Sequence, residues 1–185
     1  MDQTSSAAYD LLEAGRYDEA YAQFSKLADA GDGWASMYLG WMMEKGLGRQ
    51  VDAAKAERFY LNAYEHGVSE AQYYLGCLYR SLKRYRDAFH HLEQAASRGH
   101  PSAAYWAYVM CSDGEGISHD GDKAAQLLRK AADLGHVFAK RDLAKRMARG
   151  KLGLGKIPLG VFSLIANAFS TARIASSNLE DVRLR

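Results

Sequence analysis

Apolar and small residues recur along this chain at steps of three and four, and no stretch alternates with the step of two that a strand needs. One set runs Ala20, Phe24, Leu27-Ala28. It returns as Ala56, Tyr60, Ala63-Tyr64, then as Ala88, Leu92, Ala95-Ala96, and again as Ala124, Leu128, Ala131-Ala132. Each set ends on a glycine (Gly31, Gly67, Gly99, Gly135) lying 11 residues after its first alanine. Four residues past each glycine another alanine (Ala35, Ala71, Ala103, Ala139) opens a second apolar pattern, as in Ala35/Leu39/Gly40/Met43. These spacings predict helices over 4–14, 17–30, 33–46, 52–66, 69–81, 85–98, 101–112, 121–134 and 137–149.

A pattern that repeats every 32 or 36 residues, two helices per period, is the signature of a repeat array. A single helix pair cannot bury its apolar face alone, so the pairs must stack. The expected fold is an all-α, α-α superhelical solenoid of four to five helix-turn-helix repeats over 4–150. A glycine-rich basic linker at 151–156, an apolar helix at 157–175 and a tail at 176–185 follow. Alanine and glycine at facing positions let backbones approach, and the glycine closing each second helix suits a left-handed cap.

Composition narrows the function. Hydrophobic residues at 48% and charged residues at 25% are ordinary for a folded soluble chain, and two prolines in 185 residues favour helix. Two cysteines, Cys77 and Cys111, make no disulfide framework and read as small core residues in a reducing compartment. The N-terminus lacks the basic and apolar regions of a signal peptide, so a cytoplasmic location is expected. The net charge of +2 is uneven: residues 137–156 carry seven basic groups against Asp142 alone, while 1–136 is acidic.

Catalytic readings find little support. His66, His100 and His136 flank repeat glycines, where a turn role is expected. His90 and His91 are adjacent and point about 100° apart on a helix, unlike a metal-binding pair. Gly150–Lys156 copies seven positions of a phosphate-binding loop, but Ile157 stands where a Ser or Thr must hold magnesium. Asp113–Asp122 lacks the alternating ligands of a calcium loop and reads as an inter-helix turn. No enzyme activity, cofactor or metal is expected. The basic stretch has no interleaved aromatics, so no nucleic acid is expected either.

The run Ala35…Leu39-Gly40…Gly46-Leu47-Gly48…Asp52…Lys55-Ala56…Tyr60…Gly67 resembles the Sel-one-like repeat family. A second copy runs from Ala103 through Gly114-Glu115-Gly116 to Gly135, with Ala107-Tyr108 in place of Leu-Gly. The shorter units at Gly15–Ala20 and Arg84–Ala88 are similar to tetratricopeptide repeats. The resemblance implies a non-catalytic scaffold or adaptor that binds a peptide or protein surface. Some bacterial members are tied to envelope or exopolysaccharide processes.

In such arrays the first helices of successive repeats line a concave groove. By register, Met37, Tyr73 and Tyr105 share one position there, and Tyr9, Trp41, Cys77 and Val109 another. Trp34, Glu44 and Arg80 border the strip, and Arg141 with Lys145 make a basic end. Aromatics with a polar handle are good anchors for a protein ligand. The uncharged stretch 157–172 offers three alternatives: a cap on the last repeat, a homodimer contact, or an interfacial membrane helix. At about 1.5 Å per residue it falls short of the roughly 30 Å needed to span a bilayer. In the membrane reading Arg146, Arg149, Lys151 and Lys156 would face anionic headgroups. Ile157, Val161, Phe162, Ile165 and Phe169 would enter the interface, recruiting partners to the inner face of a membrane.

Overall fold

The repeat glycines set the architecture because each ends one helix and aims the next. The computed structural model describes residues 3–148. Among these there are nine helices and no strands: α1 (Gln3–Glu13), α2 (Tyr17–Asp29), α3 (Gly33–Lys45), α4 (Ala53–Glu65), α5 (Ala71–Ser81), α6 (Tyr85–Ser97), α7 (Pro101–Asp113), α8 (Gly121–Asp133) and α9 (Val137–Ala148). Each helix packs on the next in sequence, and α5 also touches α7. The result is a stack of four antiparallel helix pairs with α9 added at the end, the all-α solenoid expected from the repeats. The segments expected at 151–156, 157–175 and 176–185 lie outside the described residues.

The four repeat glycines adopt φ between 88° and 95°. At the first, the Gly31 N–H bonds to the Ala28 carbonyl at 2.9 Å and the Asp32 N–H to the Leu27 carbonyl at 2.9 Å. The same paired bonds recur after α4, α6 and α8, so each of these helices ends in a Schellman motif that only glycine enters without strain. Asp32, His100 and His136, one residue past their glycines, then start the next helix. The Asp32 carboxylate accepts from the Trp34 and Ala35 N–H groups, and the His100 Nδ1 accepts from the Ala103 N–H at 3.1 Å. The His136 Nδ1 accepts from the Ala139 N–H at 3.3 Å. The helix expected from 69 starts instead at Ala71, because Val68–Glu70 form a separate turn closed by the Ala71 N–H on the Val68 carbonyl at 3.2 Å.

Small residues bring the paired backbones together. A Cβ added at Gly40 would lie 2.7 Å from the Tyr60 ring, and one at Gly76 2.6 Å from Leu92 Cγ. Tyr60 and Leu92 are themselves fully buried. The core forms two blocks. An N-terminal one is centred on Ala8, Phe24 and Leu39, and a larger one runs from Tyr60 through Leu75 and Leu92 to Leu128. Tyr21, Trp41 and Phe59 pack against both and join them.

Candidate protein-binding face

The face built by α1, α3, α5 and α7 carries two open clefts. The first, of about 420 Å³, is walled by Tyr9, Leu12 and Glu13 from α1, Met37, Tyr38 and Trp41 from α3, and Tyr74 from α5. Its rings are braced from behind: Tyr38 stacks on Phe24 with centroids 5.0 Å apart, and Tyr74 on Tyr60 at 5.6 Å. Glu13, one turn beyond Tyr9, holds the Tyr9 hydroxyl above its ordinary pKa.

The second cleft, of about 400 Å³, lies between α5 and α7 over the start of α6. Tyr73, Cys77, Arg80 and Lys83 form one side, Trp106 and Glu115 the other, and Tyr85 and Leu92 lie beneath. Arg80 crosses it. Its guanidinium sits 4.6 Å above the Trp106 ring and bonds the Glu115 carboxylate at 2.8 Å. Burial raises both the Tyr73 hydroxyl and the Cys77 thiol, so Cys77 stays a thiol rather than a reactive thiolate.

The residues expected from register reach this face unevenly. Tyr9, Trp41, Tyr73, Cys77 and Arg80 line the clefts. Met37 borders the first but is only 6% exposed and belongs to the core. Tyr105 stacks on His136 at 4.4 Å and donates to Asp142 at 2.9 Å, while Tyr73 stacks on His100 at 4.4 Å. Both tyrosines therefore brace the cap of the following repeat as well as facing outward. Glu44 is mostly covered, accepting from the Tyr60 hydroxyl at 2.8 Å and pairing with Lys45. Trp34 is exposed at the start of α3, outside both clefts.

On α9, Arg141 and Lys145 are exposed, and Arg141 pairs with Asp142 at 3.3 Å. Arg146 turns back onto α7, donating to the Ser112 hydroxyl at 3.2 Å with its guanidinium 5.2 Å from the Tyr108 ring. Arg149, Lys151, Lys156, Ile157, Val161, Phe162, Ile165 and Phe169 lie outside the described residues. Tyr38, Tyr74 and Trp106 line the clefts without having been anticipated. The signal was available, since they recur at the same 36- and 32-residue offsets one position after Met37, Tyr73 and Tyr105.

The remaining titratable groups serve the fold. His91 Nδ1 lies 3.0 Å from the Gln72 side-chain oxygen. Burial holds His91, His100 and His136 below the usual imidazole range. Among the described residues no group of His, Cys, Asp and Glu is arranged to hold a metal ion.

Family models for the Sel1 repeat match residues 35–68, 69–100 and 101–136, more than half of the chain. The chain belongs to the Sel1 repeat family. A Sel1 repeat protein from Oxalobacter formigenes superposes with a TM-score of 0.71 at 26% identity, over 86% of this chain and 67% of that one. The protective antigen c5321, present in uropathogenic Escherichia coli strains, superposes at 0.68 with 26% identity. That match covers 80% of this chain but only 33% of the antigen, so the chain spans about a third of that relative's length. MamA shares the fold, at a TM-score of 0.59 and 19% identity over 98% of both chains. Sel1 repeats are in general non-catalytic scaffolds for protein–protein interaction. No helix among the described residues is long and apolar enough to cross a membrane.

Proposed function

We propose that this chain is a non-catalytic adaptor that holds a peptide or protein surface along the α1/α3/α5/α7 face. The observation that carries this reading is the pair of adjoining aromatic clefts, each about 400 Å³ and each open to solvent on the same face. Half-exposed tyrosine and tryptophan offer large contact area at little entropic cost, which is how protein anchors work. A photo-crosslinking residue in place of Trp41 or Trp106 should trap a partner in extracts of the source cell. The same residue in place of the exposed Arg58 or Arg129, on α4 and α8, should not. Equal trapping from both pairs of positions would overturn the assignment of this face.

A second reading is favoured by one feature of the last repeat. Val137 and Phe138 are 74% and 53% exposed beside Lys140, Arg141 and Lys145, which makes a small apolar-and-basic surface. Such a surface suits peripheral contact with anionic lipid. Flotation of the full chain with anionic vesicles at low salt, lost in the Phe138→Ala variant, is the expected result. No flotation at low salt rules this reading out.

A further inference from the structure

The two clefts are built alike from rings and a carboxylate, but only one contains a cation. In the second, Arg80 lies over Trp106 and binds Glu115. In the first, Tyr9, Tyr38, Trp41 and Tyr74 surround an opening whose one charged lining residue is Glu13. The repeat register explains the difference. Trp106 corresponds to Tyr74 and Tyr38, whereas Arg80 corresponds to Glu44 on α3. Glu44 thus puts a carboxylate where the second cleft has its cation, but the Tyr60 hydroxyl and Lys45 engage it, so the open negative charge of the first cleft is Glu13.

Elsewhere the chain lays its own cations over several rings. Arg49 lies over Tyr21 and Arg98 over Tyr64, both partly exposed, and Arg84 and Arg146 cover the nearly buried Tyr79 and Tyr108. Among the described residues no such pair involves a ring of the first cleft.

We infer that the first cleft takes an arginine side chain of a protein partner, seated among Tyr9, Tyr38, Trp41 and Tyr74 and paired with Glu13, as Arg80 is seated in the second. The inference rests on the adaptor reading above and names the chemistry of its ligand. Guanidinium is the fitting group because it is weakly hydrated, stacks on aromatic faces and binds a carboxylate through a planar fork. The charge of the repeat array as a whole has the same sign, since residues 1–136 carry 14 Lys/Arg against 19 Asp/Glu.

The test uses the full chain and a fluorescently labelled Gly/Ser octapeptide carrying three arginines. A matched peptide carries citrulline, which keeps the shape and removes the charge. Anisotropy should show saturable binding of the arginine peptide, with the citrulline peptide about tenfold weaker or more. Glu13→Gln should weaken arginine-peptide binding about fivefold. Trp41→Phe, which keeps the packing between the two core blocks, should weaken it to a lesser degree. Leu61→Ala, exposed on α4 away from both clefts, should leave it unchanged, with circular dichroism confirming that every variant is folded. Equal binding of both peptides, no binding at all, or equal losses from Glu13→Gln and Leu61→Ala would each overturn the inference. If the crosslinker at Trp41 still traps a partner while the arginine peptide fails to bind, the adaptor reading stands and this inference falls.

Discussion

The first and second clefts are successive products of one repeat, yet they differ in what finishes them. The first is capped at the start of α3 by Asp32 and leaves its rings open. The second is bounded by α7, whose cap is His100, and is crossed by the Arg80–Glu115 pair. Its lip also carries Lys83, whose φ of 59° is the only positive value on a non-glycine residue among those described. The shared scaffold comes from residues at the helix seams, and the differences come from residues that the seams do not constrain. Identity at the seam and variety at the face is what a repeat array needs in order to present different surfaces from one fold.

The sharpest way to break the comparison is to move the wall both clefts share. That wall is α5, and Ala71 at its start is fully buried in the larger core block. Ala71→Leu adds three carbons where no space exists and should destabilise the chain by about 1–3 kcal/mol. Urea unfolding followed by circular dichroism measures it. Unchanged stability would mean that α5 does not seat through this alanine and that the two clefts do not share a fixed wall.

Seam residues such as Ala71 were legible in the sequence because close helix packing selects for size, and size is visible in a single chain. The nine helices among the described residues and their left-handed glycines follow from that size pattern together with its spacing of three and four. The face is less legible: register points to Met37, which is nearly buried, while the more open residue beside it is Tyr38. Neighbouring residues on a helix differ by about 100°, so a small rotation of α3 decides which of the two is open in the cleft. That rotation is set by α2 and α4, on which α3 packs, and periodicity within α3 carries no record of it. Glu44 was expected at the border, but the Tyr60 hydroxyl and Lys45 draw its carboxylate mostly out of solvent. Lys83 gave no warning either, since Gly15 holds the corresponding turn before α2.

The caps sharpen the comparison through pH. His100 and His136 cap α7 and α9 through a neutral Nδ1, and each stacks on a tyrosine from the first helix of the preceding repeat, Tyr73 on α5 and Tyr105 on α7. Burial lowers both imidazoles in the folded chain, and for His100 the Glu70 carboxylate pulls the other way while His136 adds to the lowering. An unfolded histidine titrates near about 6.5, so just below that pH the unfolded chain binds more protons. The histidine contribution is therefore fully present above about pH 6.5 and is lost as pH falls. Asp52 and Glu19, whose carboxyls lie below their ordinary range, act only at lower pH. We expect the melting temperature to fall between pH 7 and pH 5. Replacing both residues by Asn, which caps without titrating, should reduce that fall. A wild-type melting temperature that is flat across this interval would remove the histidines from the account. At pH 7, His100→Ala should cost about 1 kcal/mol for the lost cap.

The smallest expected effect improves the protein. Lys83 ends the turn between α5 and α6, where its N–H bonds to the Arg80 carbonyl at 3.0 Å and the Arg84 N–H to the Tyr79 carbonyl at 2.8 Å. Those bonds fix the backbone in the left-handed region, where a side chain crowds its own carbonyl. The equivalent turn between α1 and α2 uses Gly15 at φ 74° and avoids this cost. Glycine at position 83 would relieve the strain but also widen the unfolded ensemble, and the two terms oppose each other. Because the native φ is one that glycine favours, the relief should win, and Lys83→Gly should stabilise the chain by roughly 0.5–1 kcal/mol. The exposed Lys83 side chain forms no ion pair among those described, so little is lost with it. Lys83→Ala separates the causes: it removes the same charge and keeps the strained backbone, so it should leave stability near wild type. If Ala stabilises as much as Gly, the charge at the lip of the second cleft, and not its backbone, is what distinguishes that turn from the one beside the first.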